Sequence, residues 1–226
     1  MADPTTTPEP EPQPGVMNDL TEWEFQRRFG PWQPETPAGV LDLLGGAPFV
    51  WWVAGGWSLE LGGDAPARRH EDVDVVILRR DLDAVRDQLA DWHIWENDSG
   101  WLRALLPGAP AHDRPEQWWV RRDAWSPWIM DMLITPTDGD DWLFKKDHRV
   151  RRPLRELVRL GADGVPYQVP EVGLLYKAFL DRPKDVGDLE RCWPLLDEAA
   201  RAWLREAVAL ALPDSSWVDR LAALPG

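Results

Sequence analysis

Residues 51–80, WWVAGGWSLELGGDAPARRHEDVDVVILRR, constrain the fold more than any other part of this chain. They read as strand, glycine turn, short helix, loop and strand. Phe49 to Ala54 is apolar and rich in Val and Trp, which suits a buried strand. Gly55 and Gly56 break it and let the backbone approach a ligand with no Cβ in the way. Ser58 to Leu61 can form one or two helical turns, whose free N–H groups would face an anion. Gly62 to Pro66 is loop by composition, and Asp72 to Leu78 is a second strand.

Side chains alternate along a strand, so Asp72 and Asp74 share one face while Val73, Val75 and Ile77 share the other. Two carboxylates one pleat apart repel, and either would cost several kcal/mol if buried without a partner. A hard divalent cation resolves that repulsion. Mg2+ takes few protein carboxylates and completes its octahedron with water and phosphate oxygens. A glycine turn for a triphosphate and an Asp-x-Asp strand for the metal that bridges it are chemically consistent. Either element alone is common and mostly structural; their spacing is what points to a nucleotide.

This stretch resembles the nucleotidyltransferase superfamily, and within it the aminoglycoside 2''-adenylyltransferase-like family. The shared pattern is Gly-Gly-Trp, an acidic residue three positions on, then Arg-x-His-x-Asp-x-Asp. Here those residues are Gly55, Gly56, Trp57, Glu60, Arg68, His70, Asp72 and Asp74. The resemblance runs over roughly residues 38–223, with two departures: Ala67 stands where related members often carry Thr, and Trp57 replaces the serine of the broader Gly-Ser motif. It implies an α+β fold: a nucleotidyltransferase-like mixed β-sheet flanked by helices, followed by a small C-terminal helical bundle. It also implies that Arg68 and His70 touch phosphate. The alternative for Arg68 is pairing with Glu60, Asp64 or Glu71.

Bulk composition narrows the field. With 226 residues and 44% hydrophobic content, the chain can build a core as one domain with an extension or as two small ones. No apolar run approaches the roughly 18 residues a membrane span needs, and the start shows no basic-then-apolar export pattern. The one cysteine, Cys192, cannot form an internal disulfide, so a reducing cytoplasm is expected. A net charge of −14 argues against a nucleic-acid partner, which would need a positive face, and favours a cationic one.

Along the chain, residues 1–17 carry proline at every second or fourth position and read as a disordered tail. Residues 18–153 then form the nucleotidyltransferase core and residues 154–226 a helical domain. Within the core, helices are expected from Asn18 onward, over Pro37 to Leu44, and over Leu82 to Trp92. Strands are expected over His93 to Glu96, Trp101 to Leu106, Gln117 to Arg122 and Trp128 to Thr135. Asp131 interrupts the last of these, in an otherwise apolar run. It is either a strand-end carboxylate held by an arginine or, as the resemblance implies, a third site carboxylate acting as catalytic base or metal ligand.

The basic run from Lys145 to Arg152 is either a set of ion pairs to the protein's own carboxylates or an anion contact. Pro170 suits the first turn of a helix, with Leu174, Leu175, Ala178 and Phe179 as its stripe and Lys177 off it. In the resembling family, lysines of the helical half reach nucleotide phosphates. Lys177 and Lys184 are therefore either phosphate contacts or solvated helix lysines.

These parts imply a nucleotidyltransferase. ATP would lie over Gly55, Gly56 and Ser58, contacted by Arg68, His70, Lys177 and Lys184. Asp72, Asp74 and Asp131 would hold Mg2+, and Asp131 would deprotonate a hydroxyl on a small acceptor, which the acidic charge matches to a cation such as an aminoglycoside. Two readings compete with it: transfer to a protein or another metabolite, and a nucleotide-binding regulatory protein without turnover.

Overall fold

A computed structural model describes residues 20–62, 70–98, 100–113 and 115–225. The expected tail at residues 1–17, and Arg68 with the loop around it, lie outside those residues. The chain enters through α1 (Glu22–Phe29) and α2 (Pro37–Leu44). Thr21 caps α1, with the Glu24 side chain reaching back to the Thr21 amide, and Thr36 caps α2 ahead of Pro37. Then come β1 (Trp51–Val53), α3 (Gly55–Leu61), β2 (Asp74–Leu78), α4 (Leu82–Gln88), β3 (His93–Asp98), β4 (Trp101–Ala104), β5 (Gln117–Arg121) and β6 (Trp128–Thr135). A small sheet follows, made of β7 (Thr137–Asp138), β8 (Asp141–Leu143) and β9 (Arg151–Pro153). Next are β10 (Val158–Leu160), β11 (Pro166–Gln168) and four helices: α5 (Pro170–Leu180), α6 (Pro183–Cys192), α7 (Glu198–Ala211) and α8 (Ser216–Ala223).

The main sheet has eight strands in the order β10-β11-β1-β2-β6-β5-β3-β4. It is mixed: β1 runs parallel to β11 and β2 parallel to β6, while the other pairs are antiparallel. The fold is α+β, as the sequence implies. Its centre is buried on both sides. Val75 and Ile77 of β2 pack with α2 and α4 on one face, whereas Val76 and Leu78 pack under α5 to α8 on the other. Each side chain sealed in this way contributes roughly 1.5–3 kcal/mol. Parity along β2 and β6 then fixes the polar positions. Asp74 shares the face of Val76, and Asp131 shares the face of Leu133, which packs against the same helical core.

Several boundaries differ from expectation. Helix α3 begins at Gly55, so the two glycines form its first turn rather than a turn ahead of it. Strand β2 starts at Asp74, leaving Asp72 exposed just before it. Helix α4 stops at Gln88, and Leu89 to Asp91 turn into β3. Residues beyond 153 do not form helices alone, because β10 and β11 join the main sheet and the helical run begins at Pro170. Among the described residues no helix is long and apolar enough to cross a membrane.

Candidate active site

The corner between β1 and α3 is built against a carboxylate. Gly55 takes φ +63°, and a Cβ placed on it would sit 2.0 Å from Oδ2 of Asp74. Only glycine fits there, on conformation and on space. The Ala54 amide donates to the Asp74 carbonyl at 2.9 Å, which locks the corner to β2. Ser58 is fully buried and its hydroxyl donates to the Gly55 carbonyl at 2.9 Å. It therefore braces the corner from inside, its hydroxyl engaged by the protein's own backbone.

Asp74 and Asp131 are register partners on the parallel strands β2 and β6, facing the same side. The Asp131 amide donates to the Val73 carbonyl at 3.1 Å, which sets the strand offset. Burial, then the charge of Asp72, pushes the Asp74 carboxyl up to about 7. Burial, then Asp74 and Asp72, pushes Asp131 well above the carboxylate range; the Trp119 indole and Lys145 pull the other way. Oδ1 of Asp131 is buried with no hydrogen-bond partner among the described residues. No three His, Cys, Asp or Glu side chains among the described residues gather closely enough to hold a metal ion alone. The expected three-carboxylate cluster is thus a facing pair, Asp74 and Asp131, with Asp72 acting on it by charge from outside the strand. Two under-compensated carboxylates facing each other fit a hard divalent cation that takes its remaining ligands from phosphate and water.

Cations face this edge from the helical side. Lys177, Arg182 and Lys184 all act on Asp74 in the sense that favours its ionised form. Their own states differ. Lys184 is exposed. Lys177 is 6% exposed and paired with Asp188 at 2.5 Å and Asp185 at 3.5 Å, so it is neither solvated nor free to swing. It lies inside because α6 folds back over α5 and supplies both carboxylates. Arg182 forks onto Asp185 through Nε at 2.8 Å and Nη2 at 3.0 Å, and half of its side chain remains open. Arg182 is a site-facing cation to which the sequence reading gave no role, and Lys145, read there only as part of the basic run, acts on Asp131. Arg182 does sit in the Arg-x-Lys-Asp pattern ahead of α6, which is the signal that could have found it.

His70 is committed to bracing. Its Nε2 lies 2.8 Å from Oε1 of Glu60, and its ring stacks on Trp57 at 4.1 Å. The side chain is almost wholly inside. The basic run after β8 resolves into ion pairs: Lys145 and Lys146 to Glu116, Arg149 to Asp147, Arg151 to Asp138 and Asp141, and Arg152 to Glu171. A separate groove of about 380 Å3 runs between β9 and α7, lined by Arg152, Glu156, Arg159, Glu171 and Trp203; none of the site carboxylates lines it.

Residues 38–104 match the profile of the family described as aminoglycoside-2''-adenylyltransferase. That span contains Gly55, Gly56, His70, Asp72 and Asp74 and ends before Asp131. No curated protein sequence matches the chain. Three solved structures are similar. A crystal structure of ANT(2'')-Ia in complex with adenylyl-2''-tobramycin is 12% identical, with a TM-score of 0.47, over 76% of this chain and 94% of that one. The lincomycin-bound lincosamide antibiotic adenylyltransferase LnuA is 17% identical, with a TM-score of 0.45, over 68% of this chain and 92% of that one. A solution structure of ANT(2'')-Ia is 12% identical, with a TM-score of 0.48, over 82% and 91%. At these identities no residue's role is carried across from them.

Proposed function

We propose that this chain, which resembles the aminoglycoside 2''-adenylyltransferase family of nucleotidyltransferases, transfers AMP from ATP to a hydroxyl of a small acceptor. The observation that carries the reading is the Asp74–Asp131 pair: facing, short of compensating charge, and opposed across the helical side by Lys177, Arg182 and Lys184. Asp74 and Asp131, with Asp72, would hold Mg2+, which supplies Lewis-acid polarisation of the reacting phosphate when bound. The triphosphate lies between the carboxylate edge and the cations, beside the corner at Gly55 and Gly56. Arg182 and Lys184 are the open side chains placed to take its charge.

Asp131 accepts the acceptor hydroxyl's proton. The freed oxygen then forms a bond to the α-phosphorus as the bond to pyrophosphate breaks. In this reading the sheet carries the reacting groups and the helices from Pro170 onward close the cleft. A net charge of −14 matches a cationic acceptor such as an aminoglycoside. The cytoplasm, where ATP is abundant, is the place of action.

Pyrophosphate release from Mg-ATP is the test, run across a panel of aminoglycosides. Release with one or more members, abolished by chelation of the metal, supports the reading. Measurable ATP binding with silence toward every acceptor tried would replace it with a nucleotide-binding regulatory role.

A further inference from the structure

One row of side chains crosses the sheet at the carboxylates. Trp95, Trp119, Asp131 and Asp74 are successive register partners on β3, β5, β6 and β2. Directly opposed side chains on one face stand about 4.5–5.5 Å apart at Cβ. Trp119 is therefore the lateral neighbour of Asp131 on the side away from Asp74.

Trp119 is 3% exposed. Its ring is wedged among Phe25, Phe29, Trp32 and Trp128, with centroid separations of 6.0, 5.9, 5.0 and 5.6 Å. The indole nitrogens of Trp32, Trp57, Trp118 and Trp119 are buried without partners among the described residues, and so is Oδ1 of Asp131. Of these four, Trp119 is the one whose register partner is Asp131. Trp118, the next residue along β5, points to the other face and opposes Met132. An indole N–H only donates and an ionised carboxylate only accepts. Sealed side by side and unjoined, both carry the full desolvation penalty; a bond between them removes both at once. The indole also adds no positive charge, so the carboxylate pair stays available to a cation.

We propose that Trp119 is a positioning residue for Asp131, its Nε1–H donating to Oδ1 of the ionised carboxylate and leaving Oδ2 turned to the cleft, where metal and acceptor hydroxyl would meet it. The aromatic cage fixes the donor, and the donor fixes the base. The indole already acts on Asp131 in the stabilising sense. The proposal deepens the nucleotidyl-transfer reading and rests on Asp131 as its base.

The test follows the Trp119 indole proton by nuclear magnetic resonance in the full chain with isotope-labelled tryptophan, identified by its loss in Trp119→Phe. With Mg2+ and a non-hydrolysable ATP analogue present, Asp131→Ala should move this signal upfield and speed its exchange with solvent about tenfold or more. Asp74→Ala, one strand further away, should leave it in place. A signal indifferent to Asp131→Ala, or moved equally by Asp74→Ala, overturns the proposal. In turnover, Trp119→Phe should lower kcat about tenfold with the nucleotide KM unchanged; an unchanged kcat overturns it as well. The resonance measurement needs no acceptor. If it shows the coupling while the pyrophosphate panel stays silent, the positioning contact stands and the transfer reading falls.

Discussion

Two regions of this protein bury acidic side chains close to one another, and they treat them in opposite ways. Between α5 and α6, Asp185 and Asp188 are saturated: Lys177 reaches both, Arg182 forks onto the first, and Arg191 holds the second. Attraction from Arg182 and Lys177 outweighs burial and keeps Asp185 below the carboxylate range. Across β2 and β6, Asp74 and Asp131 have no ion pair among the described residues; burial and then Asp72 drive Asp74 upward, and burial and then Asp74 and Asp72 drive Asp131 upward. Saturated acids are an internal clamp. Acids left short of counter-charge are a place where something else is meant to bind.

That contrast can be broken in three ways. The largest expected effect is on turnover. Asp131→Asn should lower it by roughly a thousandfold, the scale of a lost general base, while the thermal midpoint stays level or rises because a strained charge has gone. A variant that unfolds would place Asp131 with the clamp. Next is Lys177→Met, which strips the clamp of its shared cation and should lower unfolding free energy by roughly 3–5 kcal/mol, the range for breaking a buried ion pair. Denaturant titration reads this directly, and stability within error of wild type would remove the distinction drawn above.

The smallest effect concerns pH. A carboxyl whose folded value is raised to about 7 from an unfolded value near 4 opposes folding once it must ionise. The opposition is absent below pH 4, grows between 4 and 7, and is complete above. Measured against Asp74→Asn, the metal-free wild type should therefore lose stability across that window, and Mg2+ should cancel the loss. A flat difference between the two proteins would mean that Asp74 is already compensated.

How much of this was legible in the sequence follows from the range of the forces involved. Local signals worked. The stretch from Pro37 to Leu44 is α2 to its end residues, Pro170 set the start of α5, and the apolar run around Asp131 set β6 to its end residues. The face shared by Asp74 and its neighbours followed from strand parity alone. Contacts between distant segments did not show. Lys177 looked peripheral on its own helix, because the carboxylates that enclose it come from the next one. That His70 stacks on Trp57 and meets Glu60 could not be read from the sequence either. Strands β10 and β11 were assigned to the helical half because they are three residues each, with Leu160 exposed. The partner of β11, strand β1, lies more than a hundred positions upstream, and β10 joins the sheet through β11. Trp119 was one tryptophan among sixteen until the register set it beside Asp131.

The late arrival of β11 at the flank of β1 has a practical consequence. A truncation stopping after Pro153 would strip that flank and leave β1 with bare amides and carbonyls, a template for pairing with a second molecule. Shortened versions of this protein should therefore clump before they misfold. Anyone trimming it for crystallisation or fusion should cut outside residues 20–225, where both ends of the weave are retained.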